Sequence, residues 1–215
     1  MSEQLHPEEA VTTFWLVRHG DTQATEEGRL YTDPNAPLTQ RGEGQARALA
    51  HWFAETKPEV LLTSPALRVR TTCDIIAEEL KVVPVVVDGL DEWRVGAWEG
   101  RTYLDIKRRD RKAYDSWVAD PITNAPPGGE SIADLCIRAR SYLRELAERY
   151  QGSKVALVTH AGIIRGMLVD CLGMPVENFW RLAVSTGSIA RVDMSRTFST
   201  LKCANLQPGA NGLSG

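Results

Sequence analysis

The chain has little that would assign it to a specialised class. Its four cysteines, Cys73, Cys136, Cys171 and Cys203, form no Cys-x-x-Cys pair, so no spacing suits a structural zinc or a redox couple. Isolated thiols fit a reducing compartment. No apolar run approaches the roughly 20 residues of a membrane-spanning helix. The first ten residues are polar and acidic, unlike a secretory leader. A cytoplasmic protein with no membrane partner is expected. A net charge of −3 gives no basic footprint for nucleic acid. Repeats and low-complexity tracts are also missing. A length of 215 residues is therefore read as a single domain over 13–206, with a disordered lead-in (1–12) and a flexible tail (207–215). No heptad or apolar stripe decides between monomer and homodimer.

What is present is an alternation of periodic segments. Short apolar runs at Phe14–Arg18, Val60–Thr63, Val82–Val87 and Lys154–Thr159 read as strands. Helical spacing is found over Thr39–Glu55, Leu67–Leu80, Tyr103–Val118, Ser131–Tyr150 and Gly162–Leu172. Ile189–Met194 and Phe198–Cys203 read as a closing antiparallel pair. Strands alternating with helices predict an α/β sandwich around a mostly parallel sheet with an antiparallel edge strand.

In such sheets functional groups gather where strands end. Arg18 and His19 end the first predicted strand, and Arg68 follows the second. Glu92 follows the third, and His160 ends the fourth. Each has an ordinary alternative: a histidine closing a strand, an arginine on a solvated helix face, a loop acid. Their joint occurrence at four strand ends points instead to phosphoryl transfer. That chemistry needs fixed cations and donors around the equatorial oxygens. Arg18 and Arg68 offer planar forks that match phosphate, and His160 offers a further hydrogen bond. Guanidinium neighbours disfavour an imidazolium and keep His19 neutral as the nucleophile. Glu92 is placed to protonate the leaving alkoxide and then to take a proton from water. No metal or other cofactor is required if the arginines neutralise the charge.

These segments resemble the histidine phosphatase superfamily, the phosphoglycerate mutase-like group. Arg18-His19-Gly20 is similar to its signature, and Ser64-Pro65-Ala66-Leu67-Arg68 to its second motif. Leu90-Asp91-Glu92 with Gly96-Ala97-Trp98-Glu99-Gly100 resembles the acid segment. Pro127-Gly128-Gly129-Glu130-Ser131 is similar to a motif of its phosphatase members, and Val158-Thr159-His160-Ala161-Gly162 to the second-histidine motif. The resemblance runs from about Phe14 to about Val192. It implies a three-layer α/β/α fold and a phosphohistidine intermediate on His19. Family members often carry Glu or Gln where this chain has Asp21, Asn where it has Thr25, and Gly where it has Ala161. Thr25 and Ala161 are thereby candidate substrate contacts.

The short stretch between the acid and Pro127 resembles the phosphatase branch, which implies hydrolysis of a phosphomonoester; that of a small metabolite is expected, although some members of the family act on phosphoproteins. Phosphoglycerate-type mutase activity is the first alternative and an inactive scaffold the second. The segment 101–130 is expected to cover the site in part. Within it the basic run Lys107–Lys112 reads as a solvated helix face, or as a device that steers an anionic substrate. Trp93, Trp98 and Tyr103 read as core packing around the acid.

Overall fold

The computed structural model describes residues 10–30 and 33–209. The chain runs β1 (Thr12–Arg18), α1 (Gln23–Glu26), α2 (Gln40–Thr56), β2 (Val60–Thr63), α3 (Leu67–Leu80), β3 (Val85–Val86), α4 (Tyr103–Arg109), α5 (Arg111–Ala119), α6 (Ile132–Arg149), β4 (Lys154–Thr159), α7 (Ala161–Cys171), β5 (Ile189–Met194) and β6 (Ser199–Leu206). Two 3₁₀ segments, Gly96–Trp98 and Val176–Arg181, lie in the connections. The strands form one six-stranded sheet in the order β3-β2-β4-β1-β5-β6. β1 to β4 pair in parallel, and β5 and β6 run antiparallel.

The three layers follow from side-chain alternation along buried strands. On β1, Phe14 and Leu16 enter one core while Trp15 and Val17 enter the other. On β4, Val155 and Leu157 pair with the first set, Ala156 and Val158 with the second. Leu49 and Phe53 of α2 and Val69 and Ile76 of α3 close the second core. Leu135 and Leu143 of α6 and Ile163 and Met167 of α7 close the first. The expected three-layer α/β/α sandwich with an antiparallel edge is the fold found. All four cysteines are free thiols, and no helix among the described residues is long and apolar enough to cross a membrane.

Four expectations need correction. The expected strand Val82–Val87 pairs only at Val85–Val86, against Leu62 and Thr63. Pro84 has no N–H to give the ladder, and Val83 is 88% exposed on this edge. The expected helix Tyr103–Val118 is two helices. Asp110 departs from helical geometry, and its carboxylate caps α5 through the Ala113 N–H. Thr12, placed in the lead-in, is the buried first residue of β1; residues 1–9 lie outside the described residues. The final strand runs to Leu206 instead of Cys203. Of the expected tail, 207–209 is described and 210–215 lies outside the described residues.

Candidate active site

Strand register brings the predicted residues together. Arg18 pairs with Thr159 across the β1–β4 ladder, so His19 and His160 leave adjacent strands at the same level. Their rings meet edge to face with centroids 5.3 Å apart. β2 ends beside them, which places Ser64 and the first turn of α3, with Arg68, against His160. The turn after β1 is held by backbone contact: a Cβ on Gly20 would lie 2.3 Å from the Gly42 carbonyl oxygen at the start of α2. Glycine at both positions lets the loop carrying His19 lie flat on that helix.

His19 is buried, and its Nδ1 lies 2.7 Å from the Gly20 carbonyl. A carbonyl only accepts, so Nδ1 carries the proton and Nε2 of the neutral ring keeps its lone pair. Burial first, then the charges of Arg18 and Arg68, hold the imidazole well below the usual histidine pKa. It is therefore uncharged at neutral pH, the form a nucleophile requires. His160 is held low as well, by burial first, and then because a charge on it would oppose one on His19 and the Arg68 guanidinium. Its Nδ1 sits 3.3 Å from a terminal nitrogen of Arg68, which can only donate, and its Nε2 sits 3.2 Å from Ser64 Oγ. Neutral His160 thus carries its proton on Nε2 and, in this state, aims Arg68 instead of donating toward the cleft. Arg68 is also fixed by the Asp33 carbonyl at 2.8 Å. Arg18 donates to the Val184 carbonyl at 2.7 Å, while its buried Nε has no partner among the described residues.

Glu92 completes the set. Its Oε1 accepts the main-chain N–H groups of Gly162 (2.8 Å) and Trp93 (2.9 Å), leaving Oε2 for proton transfer. A side chain at Gly162 would put its Cβ 2.3 Å from that oxygen, so glycine there admits the carboxylate to the start of α7. Arg18, His19, Arg68, Glu92, Thr25 and Ala161 line one cleft of about 270 Å³. His160 lies just behind it. Among the described residues no three His, Cys, Asp or Glu side chains are grouped as a metal ion would need.

The pattern of the whole chain agrees with this arrangement. A profile of the histidine phosphatase superfamily (branch 1) matches residues 14–207. The chain belongs to that superfamily. It is 28% identical to the adenosylcobalamin/alpha-ribazole phosphatase of Escherichia coli over 192 residues, 89% of this chain and 95% of the relative. It is 28% identical to a protein of Hydrogenobacter thermophilus named putative phosphoserine phosphatase 2, over 89% of this chain and 94% of that one. Among solved structures, a mycobacterial glucosyl-3-phosphoglycerate phosphatase superposes with a TM-score of 0.81 at 26% identity, covering 91% of this chain and 99% of its own.

In this histidine phosphatase the Pro-Gly-Gly-Glu segment has a visible task. Glu130 Oε1 accepts the Arg94 N–H at 3.0 Å and meets Arg138 at 2.6 Å. Arg138 in turn donates to the carbonyls of Gly89 (2.8 Å), Asp91 (3.0 Å) and Glu92 (3.2 Å). Trp93 donates its indole N–H to the Glu130 carbonyl, and Thr159 ties Leu90 to β4. The loop carrying Glu92 is therefore clamped from both sides. Arg138→Lys keeps a cation beside Glu130 but cannot span three carbonyls. Its first-turnover rate is expected to fall at least about tenfold more for an alkyl phosphate, which needs a proton from Glu92, than for p-nitrophenyl phosphate, which does not. Rapid-quench measurement of both esters checks this; equal losses would leave the clamp a purely structural device.

Other residues differ from the sequence reading. Thr25 lines the cleft, yet its hydroxyl accepts the Thr22 N–H and lies 2.6 Å from Asp21 Oδ1 and 2.7 Å from the Thr22 carbonyl. Its proton is committed to the cap of α1. Trp93 and Trp98 are buried in the core and Tyr103 packs against it as expected, and Trp93 and Tyr103 also reach the cleft wall. None of Lys107 to Lys112 lines the cleft; from the segment 101–130 it is Tyr103 that does. Arg165, Phe179 and Trp180, which sequence patterning does not single out, also line it. Phe179 and Trp180 sit in the 3₁₀ segment Val176–Arg181, too short to show a helical period.

Proposed function

We propose that this protein is a phosphatase that hydrolyses the phosphomonoester of a small metabolite through a phosphohistidine on His19. The observation that carries this reading is the fixed tautomer of His19, which keeps its lone pair on Nε2 in a cleft lined by two arginines and a carboxylate with one uncommitted oxygen. In the first step Nε2 forms a bond to phosphorus as the ester P–O bond breaks. Protonated Glu92 gives its proton to the departing alkoxide. The developing ring cation keeps its Nδ1–H on the Gly20 carbonyl, and Arg18 and Arg68 hold the equatorial oxygens. In the second step water attacks phosphorus and gives its proton to the Glu92 carboxylate. The P–N bond breaks, phosphate leaves and His19 is again neutral. The arginines supply the charge neutralisation, so the chemistry runs without a metal.

A cleft of about 270 Å³ lies near the lower end of small-molecule sites, roughly 300–1,000 Å³, which favours a small ester over a phosphoprotein. The relatives named for alpha-ribazole, phosphoserine and glucosyl-3-phosphoglycerate support hydrolysis of a metabolite and differ in which one. The short connection between Glu92 and Pro127 supports hydrolysis over phosphoryl exchange. Incubated with 3-phosphoglycerate, with and without 2,3-bisphosphoglycerate, the protein is expected to release free phosphate in preference to interconverting isomers. Efficient interconversion with little phosphate release would make it a mutase.

A further inference from the structure

The cleft contains a cation that the two displacement steps do not use. Arg165 lies one helical turn after Ala161 on α7 and so faces the same way. Its Nε donates to the Leu182 carbonyl at 2.9 Å. Its guanidinium carbon lies 5.8 Å from the centroid of Phe179 and 5.7 Å from that of Trp180. The side chain is thereby pinned at one end and flanked by aromatic rings. Among the described residues it makes no ion pair, and its two terminal nitrogens have no acceptor. Other cations of this region are committed: Arg138 pairs with Glu130, and Arg29 with Glu27. Burial lowers the pKa of Arg165, and the Glu92 charge opposes that most strongly. A half-buried guanidinium that makes no direct ion pair is costly, and a bound anion offsets the cost that the Glu92 charge leaves.

Tyr103 stands nearby on the cleft wall. Burial pushes its phenol up to about 12, with the Arg165 charge acting against it, so the hydroxyl stays a donor. It too has no hydrogen-bond partner among the described residues. We propose that Arg165 and the Tyr103 hydroxyl form a second anion site, which reads a carboxylate on the alcohol portion of the substrate. This rests on the phosphatase reading above and narrows it to carboxylate-bearing phosphomonoesters. A carboxylate fits because rings lie against the guanidinium and leave its edge open, where a planar pair of oxygens accepts two parallel N–H groups.

The test compares 3-phosphoglycerate with glycerol 3-phosphate, which differ only by carboxylate against hydroxymethyl, and uses p-nitrophenyl phosphate as the common reference. Wild type is expected to favour 3-phosphoglycerate in kcat/KM by about ten- to a hundredfold, the range for a charge-assisted hydrogen bond. Arg165→Met keeps contact with Phe179 and Trp180 and is expected to bring that ratio to within about threefold of unity. Tyr103→Phe, which removes one hydroxyl, is expected to lower the ratio by a smaller factor and serves if the arginine variant folds poorly. A wild-type ratio near one, or a ratio unchanged in both variants, overturns the second site while p-nitrophenyl phosphate turnover leaves the phosphatase reading intact. Hydrolysis of none of the three esters brings down both.

Discussion

His19→Ala is expected to lower turnover of every phosphomonoester by at least about a thousandfold, the scale seen when an enzyme loses its nucleophile. The size follows from the geometry. His19 lines the cleft and keeps a lone pair on Nε2, because the Gly20 carbonyl holds the proton on Nδ1. His160 does not replace it: its Nδ1 already accepts from Arg68 and its Nε2 is turned to Ser64. Arg18 and Arg68 stay in place in the variant, so inorganic phosphate is expected to raise the melting temperature of both proteins. Binding and chemistry are thereby separated. Acid-sensitive, alkali-stable label from a radiolabelled phosphomonoester should be trapped on wild type and be absent from His19→Ala. Equal hydrolysis of p-nitrophenyl phosphate by the two proteins would remove His19 from the mechanism and revive the scaffold reading.

The parts of this site legible in the sequence are those fixed by strand ends. Apolar runs as clean as Phe14–Val17 and Val155–Val158 locate buried strands, and whatever follows a buried parallel strand emerges at the same sheet edge. That is enough to place Arg18, His19 and His160 side by side. Glu92 is different, since it sits on an irregular loop whose course depends on Arg138, 46 residues away, reaching back to three carbonyls. A helix face carrying one more arginine gives no hint of that reach. The break at Asp110 was hidden for a related reason: aspartate is tolerated within helical periodicity and also caps a new helix, and tertiary context chose the cap. Arg165 shows the same limit in the cleft itself. Its role depends on a six-residue 3₁₀ segment folding back to flank it, a contact with no local pattern.

Glu92→Gln is expected to separate the two chemical steps. The amide oxygen still accepts the Gly162 and Trp93 N–H groups, so the loop keeps its place, while an NH₂ replaces the oxygen that exchanges the proton. For an alkyl phosphate the first step then lacks its acid, and kcat should fall by about 10²- to 10⁴-fold. p-Nitrophenolate leaves without a proton, so the first step with that ester survives. The second step still needs a base for water, and the phosphohistidine accumulates. The expected record is a burst of about one equivalent of nitrophenol per protein chain, followed by slow steady turnover, with labelled protein trapped at the plateau. An alkyl ester should give no burst. Equal losses for both esters, with no burst and no trapped label, would assign proton transfer to another group; Asp91 is adjacent in sequence, but only its carbonyl, not its carboxylate, is engaged by the clamp. Because Arg138→Lys loosens the same loop without removing the carboxyl group, it should show the alkyl-specific loss without a full trap, which distinguishes a displaced acid from an absent one.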